Sequence, residues 1–131
     1  YDYYRTAMKK TIAKLKECMP GTGFLLVSIG DRDERVDGAM HTMRGVKNLV
    51  RYQHTIAAES GIAFWNLYEA MGGDGSIAEM VKAHEANLDY THINFKGGRR
   101  IADLLFDAIE YGKEQNERRK AFYAREEVSH E

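Results

Sequence analysis

The run FLLVSI, residues 24–29, decides the fold. Five of its six residues are apolar, and they do not alternate with polar ones. A strand with one wet face alternates; a strand covered on both faces reads as a continuous apolar run, as in a parallel sheet. A second run of this kind, IAFWN, occupies residues 62–66. Between the two, Val46, Leu49, Val50, Ile56 and Ala57 recur at helical spacing, and Gly61 is placed to end that helix. Strand, long helical crossover and strand predict a right-handed βαβ unit with the two strands adjacent and parallel. The polar stretch GDRDERVDG, residues 30–38, reads as a loop.

Outward from this unit the pattern stays helical. Tyr4, Met8, Ile12, Leu15 and Met19 form one apolar stripe that Pro20 and Gly21 terminate. GGDGS, residues 72–76, is a loop before a short helix over residues 77–83. Ile101, Leu104, Leu105, Ala108 and Ile109 mark a helix starting near Phe95, with Asn94 placed to cap it. From Gly112 the chain turns polar, so residues 1–111 read as domain and residues 112–131 as a charged C-terminal helix or tail. Two strands are too few to bury both faces of a sheet. The pattern is that of an α/β protein with part of its sheet missing.

Composition narrows the class. The 131 residues carry 44% hydrophobic side chains, enough for one packed core. Nineteen Lys and Arg against 20 Asp and Glu give no basic field for nucleic acid. No apolar run reaches the roughly 18 residues of a membrane span. Cys18 is the single cysteine, so no internal disulfide is expected, and next to Met19 it reads as a packed apolar residue. The first residue is Tyr, so the lack of a leader does not fix the compartment.

Chemistry concentrates in DYTHINFKGGRR, residues 89–100. Asp89 stands three residues before His92, just ahead of a helix. A histidine can accept and return a proton near neutral pH, and a carboxylate on its other ring nitrogen fixes the tautomer. Eight Asp and five His give about 0.3 such pairs by chance, so the spacing alone also fits a helix cap with His92 packed over the first turn. Gly97 and Gly98 follow no strand and match no phosphate-loop pattern; close helix packing accounts for them better. No histidine pair has metal-ligand spacing, so neither a metal nor a cofactor is expected.

Three segments taken in order resemble the SGNH (GDSL-like) hydrolases, serine esterases of flavodoxin-like α/β fold. They are FLLVSIGDRDE, IAFWNLYEAMGG and DYTHINFKGGRRIADLLFDAI, and together they span most of residues 3–111. The likeness is greatest to bacterial carbohydrate or peptidoglycan O-acetyl esterases. It implies that His92 is the catalytic base and Asp89 its orienting acid, and that the substrate is an ester, an acylated saccharide. Asp31 and Arg32, at the end of the first strand, and His41, in the loop beyond, are candidate substrate contacts. On the residues alone a structural ion pair is the favoured reading of Asp31 and Arg32, and a solvated loop position that of His41.

The resemblance also exposes a gap. The family's Gly-Asp-Ser nucleophile block and Gly-x-Asn-Asp oxyanion block are absent: Gly30-Asp31 is followed by Arg32, and Gly73-Asp74 by Gly75. Ser28 falls within a strand, Ser60 at a helix end, and Ser76 at a helix N-cap, so no nucleophile is assigned. The chain is therefore expected to be the C-terminal portion of a flavodoxin-like three-layer sandwich, with its N-terminal strands missing. The partner is expected to be that N-terminal half or a second copy at the exposed sheet edge; the compartment stays open, an exported setting being compatible with the resemblance. The other expectation is a non-catalytic α/β interaction module.

Overall fold

The computed structural model describes residues 1–129; residues 130 and 131 of the expected tail lie outside the described residues, as do the side chains of Glu127 and Ser129. The elements in order are α1 (Asp2–Cys18), β1 (Leu25–Val27), β2 (Asp33–Val36), β3 (Ala39–Thr42), α2 (Arg44–Glu59), β4 (Ala63–Trp65), α3 (Leu67–Met71), α4 (Ser76–Lys82) and α5 (Phe95–Ser129).

The two apolar runs pair as expected. β1 and β4 are parallel neighbours, with Leu25, Leu26 and Val27 opposite Ala63, Phe64 and Trp65. Successive residues of a strand face opposite sides, and β4 divides the core accordingly. Phe64 packs beside Val46, Val50 and Tyr68 under α2. Trp65 packs on the other side, against Met71, Ile77, Met80, Val81, Ala86 and Ile101 of α3, α4, α5 and the loop between the last two. Ile56, Ile77 and Met80 are fully buried, each worth about 1.5–3 kcal/mol relative to exposure. The chain is thus an α/β protein with a parallel strand pair between helical layers.

Coverage of that pair is incomplete, which corrects the expectation of a strand buried on both faces. Leu25 and Val27, which share the Trp65 face by register, remain 41% and 38% exposed. An apolar run specifies that a face wants cover; it does not supply the covering element.

The stretch read as a polar loop is a hairpin. β2 and β3 pair antiparallel from Asp33 opposite Thr42 to Val36 opposite Ala39. Asp37 and Gly38 turn the corner with φ of 49° and 84°, the left-handed pair that matches the twist of a two-residue hairpin. His41 therefore lies on β3, opposite Glu34, and not in a long loop.

Helix ends follow local chemistry, with corrections. Gly61, at φ 62°, closes α2, and the Ile62 N–H donates to the Ala57 carbonyl. Asn66 caps the short α3 by accepting from the Glu69 N–H. Gly75 occupies the cap of α4, so Ser76 is the first helical residue and not the cap. The apolar stripe of α1 is buried only at Ile12; Leu15 and Met19 are exposed. Cys18, expected to be packed, is exposed too. α5 continues unbroken through the polar segment, 35 residues in all. No helix of the described residues is long and apolar enough to cross a membrane.

Candidate functional site

The segment before α5 is closed by its own backbone. Ala86 and Ile93 form an antiparallel bridge, and the Asn87 N–H donates to the His92 carbonyl at 2.8 Å. Inside the bridge, the Asp89 carboxylate folds back on its own chain. Its Oδ1 accepts from the N–H of Thr91 and of His92, both at 3.0 Å. Its Oδ2 lies 2.7 Å from His92 Nδ1. Tyr90, between them, takes φ 53°, an uncommon conformation that the surrounding bonds impose.

Three donations to one carboxylate favour its charged form. The His92 N–H, the His92 ring and the Thr91 N–H hold the Asp89 carboxyl well below its ordinary range, at about 2. An ionised carboxylate can only accept, so it fixes the imidazole proton on Nδ1 and leaves Nε2 as the basic nitrogen. The His92 side chain is 73% exposed, and Nε2 meets no hydrogen-bonding partner among the described residues. This arrangement can hold, orient and exchange a proton.

Both ends of the dyad turn are anchored. On the helix side, Asn94 Oδ1 accepts from the Gly97 N–H, while the Asn94 N–H donates to the Glu85 carbonyl. That carbonyl would lie 2.1 Å from a Cβ at Gly97, so only glycine permits the approach. Gly98 meets nothing within 4 Å, so the packing explanation holds for one glycine of the pair. On the sheet side, the Asp33 N–H donates to the Tyr90 carbonyl at 3.0 Å. The dyad turn is thereby fastened just past the carboxyl end of β1. The segment Ile29–Arg32, with Leu67 and Met71 beyond β4, lines a cleft of about 270 Å³ together with Thr91 and Ile93.

Asp31 sits in this region but faces inward, 2% exposed. Its Oδ1 accepts from Thr42 Oγ1 at 2.8 Å, and its Oδ2 from the Ile77 N–H at 3.0 Å and Ser76 Oγ at 3.4 Å. It ties the end of β1 to β3 and to the first turn of α4. The alternative of an Asp31–Arg32 ion pair is not formed; Arg32 is exposed. His41 is exposed in a separate cleft with Arg44, Lys47 and Asp74, and the structure does not bring it to the dyad.

The serines offer no partner to His92 among the described residues. The Ser28 hydroxyl is buried and donates to the Ile29 carbonyl. Ser76 is held by Asp31, and Ser60 Oγ is buried without a partner. No group of three or more His, Cys, Asp or Glu among the described residues is placed to hold a metal. Sequence reasoning missed Asp33, whose backbone fastens the dyad turn and whose buried carboxylate has no hydrogen-bond partner. Burial, then the charge of Asp31, pushes that carboxyl up. No one-dimensional signal marks it, since its partner is 57 positions away.

Fold and turn define a class: an α/β chain with a parallel pair, presenting an acid–histidine pair at the carboxyl end of its strands. That fold is shared with a solved structure. It is a peptidoglycan O-acetylesterase, with a TM-score of 0.78 and 22% sequence identity over 84% of this chain. The chain spans only 32% of the length of that structure's chain. No protein-family model matches the sequence, and no curated protein matches it.

Proposed function

We propose that this chain supplies the acid–base half of an SGNH-type serine esterase that removes acetyl or similar acyl groups from carbohydrate. The observation that carries the reading is the 2.7 Å contact between Asp89 Oδ2 and His92 Nδ1, with the ring otherwise exposed. Its support from outside the chain is the shared fold with a peptidoglycan O-acetylesterase.

In this reading a serine from an upstream segment attacks the ester carbonyl. His92 takes its proton through Nε2 and returns it to the departing alkoxide, while Asp89 stabilises the imidazolium. The catalytic domain ends near Tyr111, and residues 112–131 form a charged extension. The missing strands, or a second copy, pair with the free edge of β1 and cover Leu25 and Val27. No cofactor, metal or nucleic acid takes part.

The test is labelling of the 131-residue chain with a serine-directed phosphonate, read by intact mass. No adduct and no ester turnover are expected, because no serine among the described residues is positioned on His92. An adduct at Ser28, Ser60 or Ser76 would mean that the nucleophile is misplaced. A second reading, an interaction module, draws on the length of α5 and on its exposed Phe106, Ile109 and Tyr111. Full esterase activity in a protein truncated after Tyr111 separates a catalytic domain from that module.

A further inference from the structure

The cleft beside the dyad turn has an apolar floor and little free polarity. Leu67, Met71 and Ile93 supply the floor. Its polar side chains are already occupied. The Ser28 hydroxyl donates to the Ile29 carbonyl, the Thr91 hydroxyl to the Asp89 carbonyl, and the Asp31 carboxylate accepts from three donors. Arg32 is the exception. It lines the same cleft, is exposed, and makes no side-chain hydrogen bond or ion pair with any described residue. Its sequence neighbours Asp31 and Asp33 are both buried.

We propose that Arg32 determines specificity by binding a carboxylate on the sugar that carries the ester, so that the substrate is an acidic, acylated saccharide. A cleft whose one unengaged charge among the described residues is a guanidinium selects an anion, and the planar fork of arginine matches a carboxylate with two parallel hydrogen bonds. The apolar floor suits the C–H face of a sugar ring. At about 270 Å³ the cleft lies just under the range of larger ligand sites, roughly 300–1,000 Å³, and accommodates one small unit. Thr91 lines it and His92 is the next residue, so a ring held by Arg32 presents its neighbouring ester to the dyad. The inference rests on the esterase reading only in calling the ligand a substrate.

The experiment is a titration of the full 131-residue chain, followed by backbone amide resonances, with methyl glucuronide, methyl glucoside and acetate. The glucuronide is expected to shift the resonances of Gly30, Asp31, Arg32 and Thr91. It should bind more tightly than acetate, and the glucoside should leave them in place. Arg32→Gln should weaken glucuronide binding about tenfold or more, and Arg32→Lys should weaken it less. Equal response to glucuronide and glucoside, equal affinity for acetate, no response at all, or an unchanged affinity in Arg32→Gln would each overturn the proposal. The readout is binding, so it is separable from catalysis: tight glucuronide binding beside an inactive full-length protein would sink the esterase reading and leave this one standing.

Discussion

Two adjacent glycines make a matched test of how the dyad turn is held. Gly97 and Gly98 both lie in the first turns of α5, where replacing glycine by alanine ordinarily stabilises by about 0.8–1 kcal/mol. Gly98 has open space around its missing side chain, so Gly98→Ala should show that gain. At Gly97 the added carbon would stand 2.1 Å from the Glu85 carbonyl oxygen and 3.0 Å from Met80 Cε. The methionine end can move. The carbonyl cannot move freely, because it accepts from the Asn94 N–H and so anchors the helix to the dyad turn. Forcing an atom into such a contact costs about 1–3 kcal/mol. Subtracting the helix gain leaves Gly97→Ala about 1 kcal/mol less stable than wild type, and about 2 kcal/mol less stable than Gly98→Ala. Urea unfolding of the three proteins reads this directly, and Tm should separate the two variants by several degrees. Two variants stabilised alike would refute the close approach of α5 to Glu85, and with it the account of how His92 is presented.

The buried Asp31 holds three donors, so Asp31→Ala should cost about 3 kcal/mol or more in urea unfolding; a loss under about 1 kcal/mol would contradict its role as a tie. The Asp33 carboxyl is raised in the folded state by burial and by Asp31. Its contribution is therefore fully present below the unfolded value of about 3.9 and is lost as pH rises through the folded value. Asp33→Asn should accordingly remove this loss and be the more stable protein at neutral pH, and a less stable variant there would show that Asp33 has a partner in solution. Asp89 behaves oppositely: its carboxyl is held at about 2, so its contribution is present above about pH 4 and is lost as pH falls toward 2. Order in the dyad turn, read by amide exchange of Thr91 and His92, should fade across that window in wild type, whereas in Asp89→Asn it should already be reduced at neutral pH.

The parallel pair was legible because its signal is local: two apolar runs without alternation, joined by an amphipathic crossover. The hairpin was legible too, yet it was missed. Asp37-Gly38 is a strong two-residue turn signal, but the strands beside it are charged, and their polarity suggested a loop. Ser76 was misread for a different reason. Capping preference weighs the residues next to a helix, whereas this hydroxyl answers to Asp31, which lies 45 positions earlier. Exposure of Leu25, Val27 and Cys18 could not be read at all, because it depends on which elements pack above them. The Asp89–His92 contact lay within reach of the sequence, since both residues sit in one turn. The cleft did not, because it is assembled from the ends of two strands and a loop distant in the chain.

The central claim is that His92 is the base of an ester hydrolase. It is tested most directly by turnover of an O-acetylated saccharide by the full-length protein and its His92→Ala variant. A loss of about 10⁴-fold or more in kcat is predicted, since the base of such a triad acts as a unit with its nucleophile. Turnover within tenfold of wild type would contradict it.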